Sequence, residues 1–171
     1  MKAKLRAAVV GVGYLGQYHA DKLAAMEGVE LVAVVDADAA RAKTIAAKHG
    51  CQALTDFRDL AGRADLASVA VPTERHHAVA MPLLEAGIHL LVEKPIATTL
   101  AEADELVAAA KKKDVLLAVG HLERFNPAFR ALAQTLAQPL FIDCARLSGV
   151  KQRGSDGDVV LDLMVHDSNL V

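Results

Sequence analysis

The stretch Leu5–Gly16, LRAAVVGVGYLG, decides the fold of this chain. Its first half is an apolar run, which predicts a buried strand over Leu5–Val10. Glycines follow at positions 11, 13 and 16, and Leu15–Met26 then has the amphipathic pattern of a helix. A strand, a G-x-G-x-x-G turn and a helix in this order are typical of a dinucleotide-binding unit.

Each glycine of the motif has its own physical role. Gly11 permits the tight turn, Gly13 lets the backbone approach a pyrophosphate, and Gly16 allows close packing of the helix on the sheet. The start of the helix, at Tyr14 and Leu15, faces the phosphate charge. These residues are therefore predicted to bind the cofactor phosphates. The alternative is a glycine-rich turn that serves packing alone.

An acidic residue, Asp36, follows the second predicted strand, Leu31–Val35, and lies 20 residues after Gly16. A carboxylate at this position accepts hydrogen bonds from the adenosine ribose hydroxyls. It would repel a 2′-phosphate, and position 37 is not an arginine, so the sequence favours NAD over NADP. The alternative is that Asp36 is the N-cap of the next helix, a role for which Asp38 is equally well placed.

Apolar strands and amphipathic helices continue to alternate along the chain. Further strands are predicted at Leu66–Val71, Ile88–Val92 and Val115–Val119, and further helices at Ala39–His49, Arg75–Ala86, Thr99–Lys112 and Glu123–Leu136. The strands are continuous apolar runs, which indicates burial on both faces of a parallel sheet. The predicted fold class is therefore α/β, a doubly wound parallel sheet of the Rossmann type.

The pattern changes after Pro139. Leu140–Leu147 has the mixed polarity of a strand in a different sheet, and Val159–Val171 is strongly apolar. We predict an NAD-binding domain over residues 1–121. Residues 122–171 are predicted to form a connecting helix and the beginning of an incomplete domain for substrate binding or oligomerisation.

The tripeptide Glu93-Lys94-Pro95 directly follows the strand Ile88–Val92. Ligands of doubly wound sheets bind beyond the carboxyl ends of the strands, so Lys94 is predicted to lie at the nicotinamide end of the cleft. Pro95 fixes the backbone there, and a cis bond is compatible with the sequence. The alternative is an ordinary surface lysine.

Asp162 and His166 are four residues apart, which places both on one face of a helix. The pair suits general acid–base catalysis, although a structural hydrogen bond is the alternative. Half a metal site has the same spacing, but no second ligand cluster accompanies it, so no metal is predicted. The loop cations Lys151 and Arg153 could contact a diphosphate or remain solvated.

These motifs, in this order, resemble the Gfo/Idh/MocA family of oxidoreductases. The resemblance is carried by Gly11-x-Gly13-x-x-Gly16 with His19, Pro72-Thr73 with His76, Glu93-Lys94-Pro95, Gly120-His121-x-x-Arg124-Phe125-x-Pro127 and Asp162-x-x-x-His166. It implies hydride transfer between NAD(P) and a carbinol carbon, usually of a sugar or polyol. Lys94 would polarise the substrate oxygen, and His166, beside Asp162, would transfer the proton.

The resemblance also implies further contacts. Pro72, Thr73, His76, Glu93 and Lys94 would line the cofactor, and His121 and Arg124 the substrate. His121-Leu-Glu-Arg-Phe-Asn-Pro and the segment around His166 are similar to the branch that contains UDP-N-acetylglucosamine 3-dehydrogenases. A homo-oligomer is expected, because the second domain of the family, an α+β unit, often forms the oligomer interface.

Two alternatives remain open at this point. Family members are longer than this chain, so it could be a truncated or non-catalytic dinucleotide-binding module that binds NAD without useful turnover. It could also be a related reductase of the same fold that acts on a non-sugar substrate, such as a biliverdin or dihydrodiol.

The composition narrows the partners. With 19 basic and 21 acidic residues the net charge is −2, which favours neither nucleic acid nor an anionic membrane as a partner. Only two cysteines are present, without a ligand or disulfide motif, and no apolar run is long enough to span a bilayer. The sequence therefore predicts a cytoplasmic protein that binds a small molecule.

Overall fold

The computed structural model describes residues 3–133, 141 and 143. The chain divides after Gly120, and the parts before and after that residue are described separately. Before it lie β1 (Leu5–Val10), α1 (Tyr14–Ala25), β2 (Val29–Val35), α2 (Ala39–His49), β3 (Gln52–Leu54), β4 (Leu66–Val69), α3 (His76–Glu85), β5 (His89–Val92), α4 (Leu100–Lys113) and β6 (Leu117–Val119). After it lie a 3-10 helix, Leu122–Phe125, and α5 (Pro127–Ala133).

The strands of the first part form one parallel sheet in the order β3-β2-β1-β4-β5-β6. The predicted α/β fold with a doubly wound parallel sheet is confirmed. Val10 of β1 pairs with Val35 of β2 and with Val69 of β4, and Val92 of β5 pairs with Val69 and Val119. These five strands therefore end level, and the loops that follow them start at one edge of the sheet.

Both faces of the sheet are covered, which explains the continuous apolar strands. In β1, Ala8 and Val10 belong to one buried cluster, together with Leu83 of α3 and Leu106 of α4. Val9, the residue between them, belongs to a second cluster that includes Ala20 of α1 and Ala46 of α2. Alternate side chains of a strand point to opposite faces, so both faces of β1 are apolar.

The predicted helix ends agree closely with the structure. Thr99 and Glu102 form a capping box at the start of α4, and Gly87, with φ 80°, follows the end of α3. None of the helices in the described part of the chain combines the length and apolar character that crossing a membrane demands.

Apart from shifts of one or two residues at the ends of elements, two features differ from the sequence predictions. The strand β3 was not predicted, because it is three residues long and two of them, Gln52 and Ala53, are exposed. The single helix predicted over Glu123–Leu136 is wrong, because a break at Asn126 separates the 3-10 helix from α5. Asn126 is extended, at φ −61° and ψ 123°, as expected of a residue before proline.

Two predicted elements of the last fifty residues cannot be compared in the same way. Val159–Val171 lies outside the described residues, and so does Leu140–Leu147 apart from residues 141 and 143.

Candidate functional site

Two of the three motif glycines are required by the packing of the chain itself. Gly11 follows β1 with φ 83°, and a Cβ there would lie 2.7 Å from the carbonyl oxygen of Ala70. A Cβ on Gly16 would lie 1.7 Å from the carbonyl oxygen of Gly11. Helix α1 therefore approaches the loop after β1 so closely that position 16 admits no side chain.

Gly13 differs from its two neighbours in the motif. It is the N-cap of α1, its φ is −68°, and a Cβ on it would meet no heavy atom within 4 Å. Neither strain nor packing within the described residues requires a glycine here. The next residues, Tyr14 and Leu15, are 57% and 38% exposed, so this helix terminus is open. The missing side chain leaves room for the pyrophosphate that the motif predicts, and the loop fits a dinucleotide.

Asp36 lies directly beside this loop. Its carboxylate is 8% exposed and accepts hydrogen bonds from Val12 N and from Asp38 N, each at 2.9 Å. Asp38 is the N-cap of α2, since its carboxylate accepts from Ala40 N and Arg41 N. The N-cap alternative for Asp36 is therefore wrong. Two backbone bonds hold Asp36 where β2 ends next to the glycine loop.

A cation that the sequence pattern did not single out contacts Asp36. Arg41 Nη1 lies 3.3 Å from Oδ1 and 3.2 Å from Oδ2 of Asp36, and its Nη2 lies 3.4 Å from Oδ2 of Asp38. The Arg41 side chain is 48% exposed. The sequence prediction considered an arginine at position 37 alone. Arg41 still reaches Asp36, because the first turn of α2 places residue 41 beside the end of β2. The sequence feature that could have identified Arg41 is its spacing of three residues from Asp38, which is typical of an ion pair on a helix.

The N-cap Asp38 should give α2 a pH-dependent stability. Its hydrogen bond from the backbone N–H of Arg41, followed by that from Ala40, lowers the pKa of the carboxyl below its ordinary value. The stability it contributes is therefore present above the unfolded pKa of about 3.9 and is lost as the pH falls through the lower folded value. We expect Asp38→Ala to lower the urea midpoint at pH 7. The difference from the parent chain should shrink steadily below about pH 4, and an equal difference at pH 7 and pH 2.5 would contradict this.

The loops after β4 and β5 are connected by a buried histidine. Pro72 and Thr73 begin a short 3-10 helix after β4, and His76 begins α3 with 1% of its surface exposed. Its Nδ1 lies 2.8 Å from the carbonyl oxygen of Pro95, and its Nε2 lies 2.9 Å from that of Val71. His76 therefore fixes the spacing of the two loops that border the cleft, and a direct contact with a cofactor stays a prediction.

Glu93 is buried where β5 ends, with 6% of its surface exposed. His19 of α1 lies between it and β4: Nε2 is 3.1 Å from Glu93 Oε1, and Nδ1 is 2.6 Å from Ser68 Oγ. The distance between His19 Nε2 and Glu93 Oε1 is within the range of an ion pair, but the geometry is not that of a hydrogen bond. Glu93 Oε1 has no hydrogen-bond partner among the described residues. This row of polar groups ends at Glu93, the residue before Lys94.

Space for the Glu93 carboxylate comes from Gly120, the residue after β6. A Cβ on Gly120 would lie 2.7 Å from Glu93 Oε1. The Gly120 N–H donates to the carbonyl of Val92 at 2.8 Å, so its backbone is fixed in the sheet. His19 and Gly120 were marked in the sequence only by their place in the family motifs, and Ser68 lies within an apolar strand without any signal.

Lys94 follows β5, and its peptide bond to Pro95 is cis, the form with which the sequence is compatible. Its backbone N–H donates to Glu93 Oε2 at 3.3 Å. Lys94 thus leaves the sheet at the same edge as the glycine loop and Asp36. Among the described residues, no three His, Cys, Asp or Glu side chains gather in a way that could hold a metal ion.

The other predicted site residues belong to the part after Gly120. His121 precedes the 3-10 helix Leu122–Phe125, which carries Arg124. The remaining predicted residues lie outside the described part of the chain: Lys151, Arg153, Asp162 and His166. Their assignments stay predictions.

Residues 5–121 match the model of a protein family described as an oxidoreductase family with an NAD-binding Rossmann fold. The chain belongs to the Gfo/Idh/MocA family. This confirms the resemblance drawn from the motifs, and the matched range covers every site residue before Gly120 that is described above.

Two relatives of this chain are dehydrogenases. The chain is 40% identical over 167 residues to UDP-N-acetylglucosamine 3-dehydrogenase from Acidithiobacillus ferrooxidans, which covers 97% of this chain and 53% of the relative. A solved structure of that enzyme superposes with a TM-score of 0.91 over 99% of this chain and 56% of that one. Inositol 2-dehydrogenase from Corynebacterium glutamicum is 30% identical over 182 residues, which covers all of this chain and 54% of the relative. The chain thus spans about half the length of the curated relatives it matches.

Proposed function

We propose that this chain forms the dinucleotide-binding part of an NAD-dependent oxidoreductase that acts on a secondary alcohol of a sugar or nucleotide sugar. The observation that carries the proposal is the glycine loop. Gly11 and Gly16 are explained by the packing of the protein, but Gly13 is open and lies next to Asp36. A ligand that approaches the backbone there explains why position 13 has no side chain.

Different residues before Gly120 would bind different parts of the cofactor. The backbone N–H groups at the start of α1 would bind the pyrophosphate, with the helix dipole favouring its charge. Asp36 would accept the hydroxyls of the adenosine ribose. The loops after β4 and β5, held together by His76, would border the nicotinamide half. The bound nicotinamide would supply a hydride acceptor.

Lys94 is the proposed polarising residue for the substrate oxygen. Its ammonium group would stabilise the developing negative charge as the alcohol proton leaves and the C–H bond transfers its hydride. The proton would go to His166, with Asp162 as its neighbour, as the family resemblance implies. The products are a ketone and the reduced cofactor, so charge and electrons balance.

The substrate class is proposed from the relatives. The match to UDP-N-acetylglucosamine 3-dehydrogenase, at 40% identity, covers 97% of this chain and so includes most of its last fifty residues, which supports a UDP-sugar. His121 and Arg124 would then contact the sugar, and Lys151 and Arg153 the diphosphate. Inositol is the competing substrate, supported by the 30% identical inositol 2-dehydrogenase.

The part of the relatives beyond the match would complete the catalytic protein. Misplacing reacting groups by about 1 Å can cost roughly 100-fold in rate, so a site without its substrate-binding half should turn over poorly. We propose that the 171-residue chain binds NAD by itself. Turnover would require a longer or assembled form, in which UDP-N-acetylglucosamine and inositol can be compared as substrates with NAD.

Gly13→Ala tests the dinucleotide site. We expect it to weaken NAD binding by about 10- to 100-fold, because the new methyl group would occupy the approach of the pyrophosphate. Calorimetric titration of the 171-residue chain measures the affinity. The urea midpoint should stay within error of the parent value, since the methyl group meets no atom of the protein within 4 Å. Unchanged NAD binding by a folded variant would contradict the proposal.

NAD should bind more tightly than NADP. The carboxylate of Asp36 favours two ribose hydroxyls and opposes a 2′-phosphate. Asp36→Ala should narrow the gap between the two dissociation constants, because it removes the acceptor for NAD and the repulsion of NADP together. Tighter binding of NADP than NAD by the unmodified chain would overturn the assignment.

A further inference from the structure

The row of Ser68, His19 and Glu93 is polar where the rest of the core is apolar. Ser68 is 2% exposed and is the register partner of Val9, so it lies on the sheet face that α1 covers. The side chain of His19 is 11% exposed, and Glu93 is buried. Burial of a histidine–glutamate pair is weak evidence for stability, because desolvation offsets the attraction. The row ends at the residue before Lys94, which suggests a use in the reaction.

Ser68 determines which proton the His19 ring presents to Glu93. Ser68 Oγ lies 2.6 Å from Nδ1 of the ring, and Glu93 Oε1 lies 3.1 Å from Nε2. When the hydroxyl donates to Nδ1, the neutral ring carries its proton on Nε2. When the ring is protonated, both nitrogens carry one. In both forms an N–H group faces the carboxylate and attracts it, whereas the other neutral tautomer would set a lone pair against it.

The Glu93 carboxylate in turn contacts the backbone of Lys94. Its Oε2 accepts from the N–H of Lys94 at 3.3 Å. Gly120 confines the carboxylate from another side, since a Cβ there would lie 2.7 Å from Oε1. The backbone N–H of Glu93 donates to the carbonyl of Val69 at 3.0 Å, which fixes the end of β5. His19 therefore holds the carboxylate to which the Lys94 backbone is hydrogen-bonded.

The residue on the other side of Lys94 is also held by a buried histidine. The carbonyl oxygen of Pro95 lies 2.8 Å from His76 Nδ1. His76 begins α3, which packs on one face of the sheet, whereas His19 belongs to α1, which packs on the opposite face. Both neighbours of Lys94 are thus held, each from a different face of the sheet.

We propose that His19 is a positioning residue that acts on the reaction through Glu93 and Lys94. This role requires no contact of His19 with cofactor or substrate. His19 keeps the Glu93 carboxylate in place, and with it the backbone that carries the Lys94 side chain. The inference rests on the proposed role of Lys94 at the substrate oxygen. Displacing a reacting group by about 1 Å can cost roughly 100-fold in rate, so a weaker hold on Lys94 should lower kcat.

Two variants of His19 in the catalytically competent protein test the contact with Glu93. A glutamine amide can extend to the position of Nε2 and donate to Glu93, whereas an asparagine amide extends only to the position of Nδ1 beside Ser68. His19→Asn should lower kcat by about 10- to 100-fold, and His19→Gln should stay within about 5-fold of the parent. NAD affinity should change by less than about 3-fold in both, because the proposed phosphate and ribose sites lie elsewhere. Equal kcat values for the two variants would overturn the inference.

Combination with Lys94→Ala tests whether His19 acts through Lys94. In that background His19→Asn should lower kcat by less than about 3-fold, because the group that it positions is absent. The matched control is His77→Asn, since His77 Nε2 lies 2.7 Å from Glu105 Oε2 in a histidine–glutamate pair between α3 and α4. Its kcat should stay within about 2-fold of the parent. A loss in His77→Asn as large as that in His19→Asn would overturn the inference.

The proposed role of Lys94 and the positioning role of His19 fail differently. A kcat that Lys94→Ala leaves unchanged overturns the role of Lys94. If Lys94→Ala lowers kcat and His19→Asn lowers it further by its full factor, the positioning role alone is overturned. Thermal melting accompanies each variant, and Ser68→Ala takes the place of His19→Asn if that variant does not fold. Ser68→Ala should lower kcat by about 3- to 10-fold, the loss of one hydrogen bond, and an equal loss in the Lys94→Ala background would overturn the positioning role.

Discussion

Gly16→Ala is expected to destabilise the chain by about 3 kcal/mol or more, the upper part of the range for overpacked sites. Its methyl carbon would lie 1.7 Å from the carbonyl oxygen of Gly11, far inside contact distance. That oxygen cannot move freely, because Gly11 N donates to Val35 O at 2.8 Å and so ties the loop to β2. The clash can be relieved only by moving α1, whose Ala20 is fully buried against the sheet.

Urea denaturation measures this effect, and Gly13→Ala is its matched control. Both changes add one methyl group within the same glycine motif, but only the methyl group at position 16 meets protein atoms. NAD affinity should fall by more than about 100-fold in Gly16→Ala, because displacement of α1 would move the N–H groups that we propose bind the pyrophosphate. Equal urea midpoints for the two variants would contradict this prediction, because they would show that a methyl group at position 16 fits without a clash.

Lys94→Ala should lower kcat by about 100- to 1000-fold in the catalytically competent protein, whether this chain or a longer form of it. The lysine follows β5 at the edge of the sheet that the cofactor would occupy, so its charge would act on the reacting oxygen. Removal of one group that stabilises transition-state charge has this typical effect on the rate.

The rate effect should be separable from binding. NAD affinity should change by less than about 3-fold in Lys94→Ala, because the proposed sites for the phosphates and the adenosine ribose lie elsewhere. Lys111→Ala is a suitable control, as Lys111 is an exposed lysine in the last turn of α4. A kcat equal to that of the parent enzyme would remove Lys94 from the mechanism.

The parts of the fold with strong local signals could be predicted from the sequence. The bounds of β1 and α2 agree residue for residue, because an apolar run and a glycine mark the first and Asp38 and Gly50 mark the second. The order of glycine loop, acidic residue and lysine predicted the edge of the sheet at which the candidate site lies. Those signals need no knowledge of which elements contact each other.

The parts that depend on tertiary pairing could not be predicted. Arg41 meets Asp36 only because α2 folds back over the end of β2. The row Ser68, His19 and Glu93 joins three elements, and a serine inside an apolar strand gives no hint of it.

The break at Asn126 was predictable in principle, since proline at 127 disfavours a helical residue before it.

Positions 93 and 120 cannot evolve independently. The glycine at 120 has no side chain, and the space a Cβ would need is filled by the Glu93 carboxylate. Any residue larger than glycine at 120 would push that carboxylate off His19, so the change is harmful while glutamate remains. After a shorter residue has been fixed at 93, the same change at 120 becomes tolerable. A mutational path, or a randomised library, must therefore alter position 93 first or both positions together.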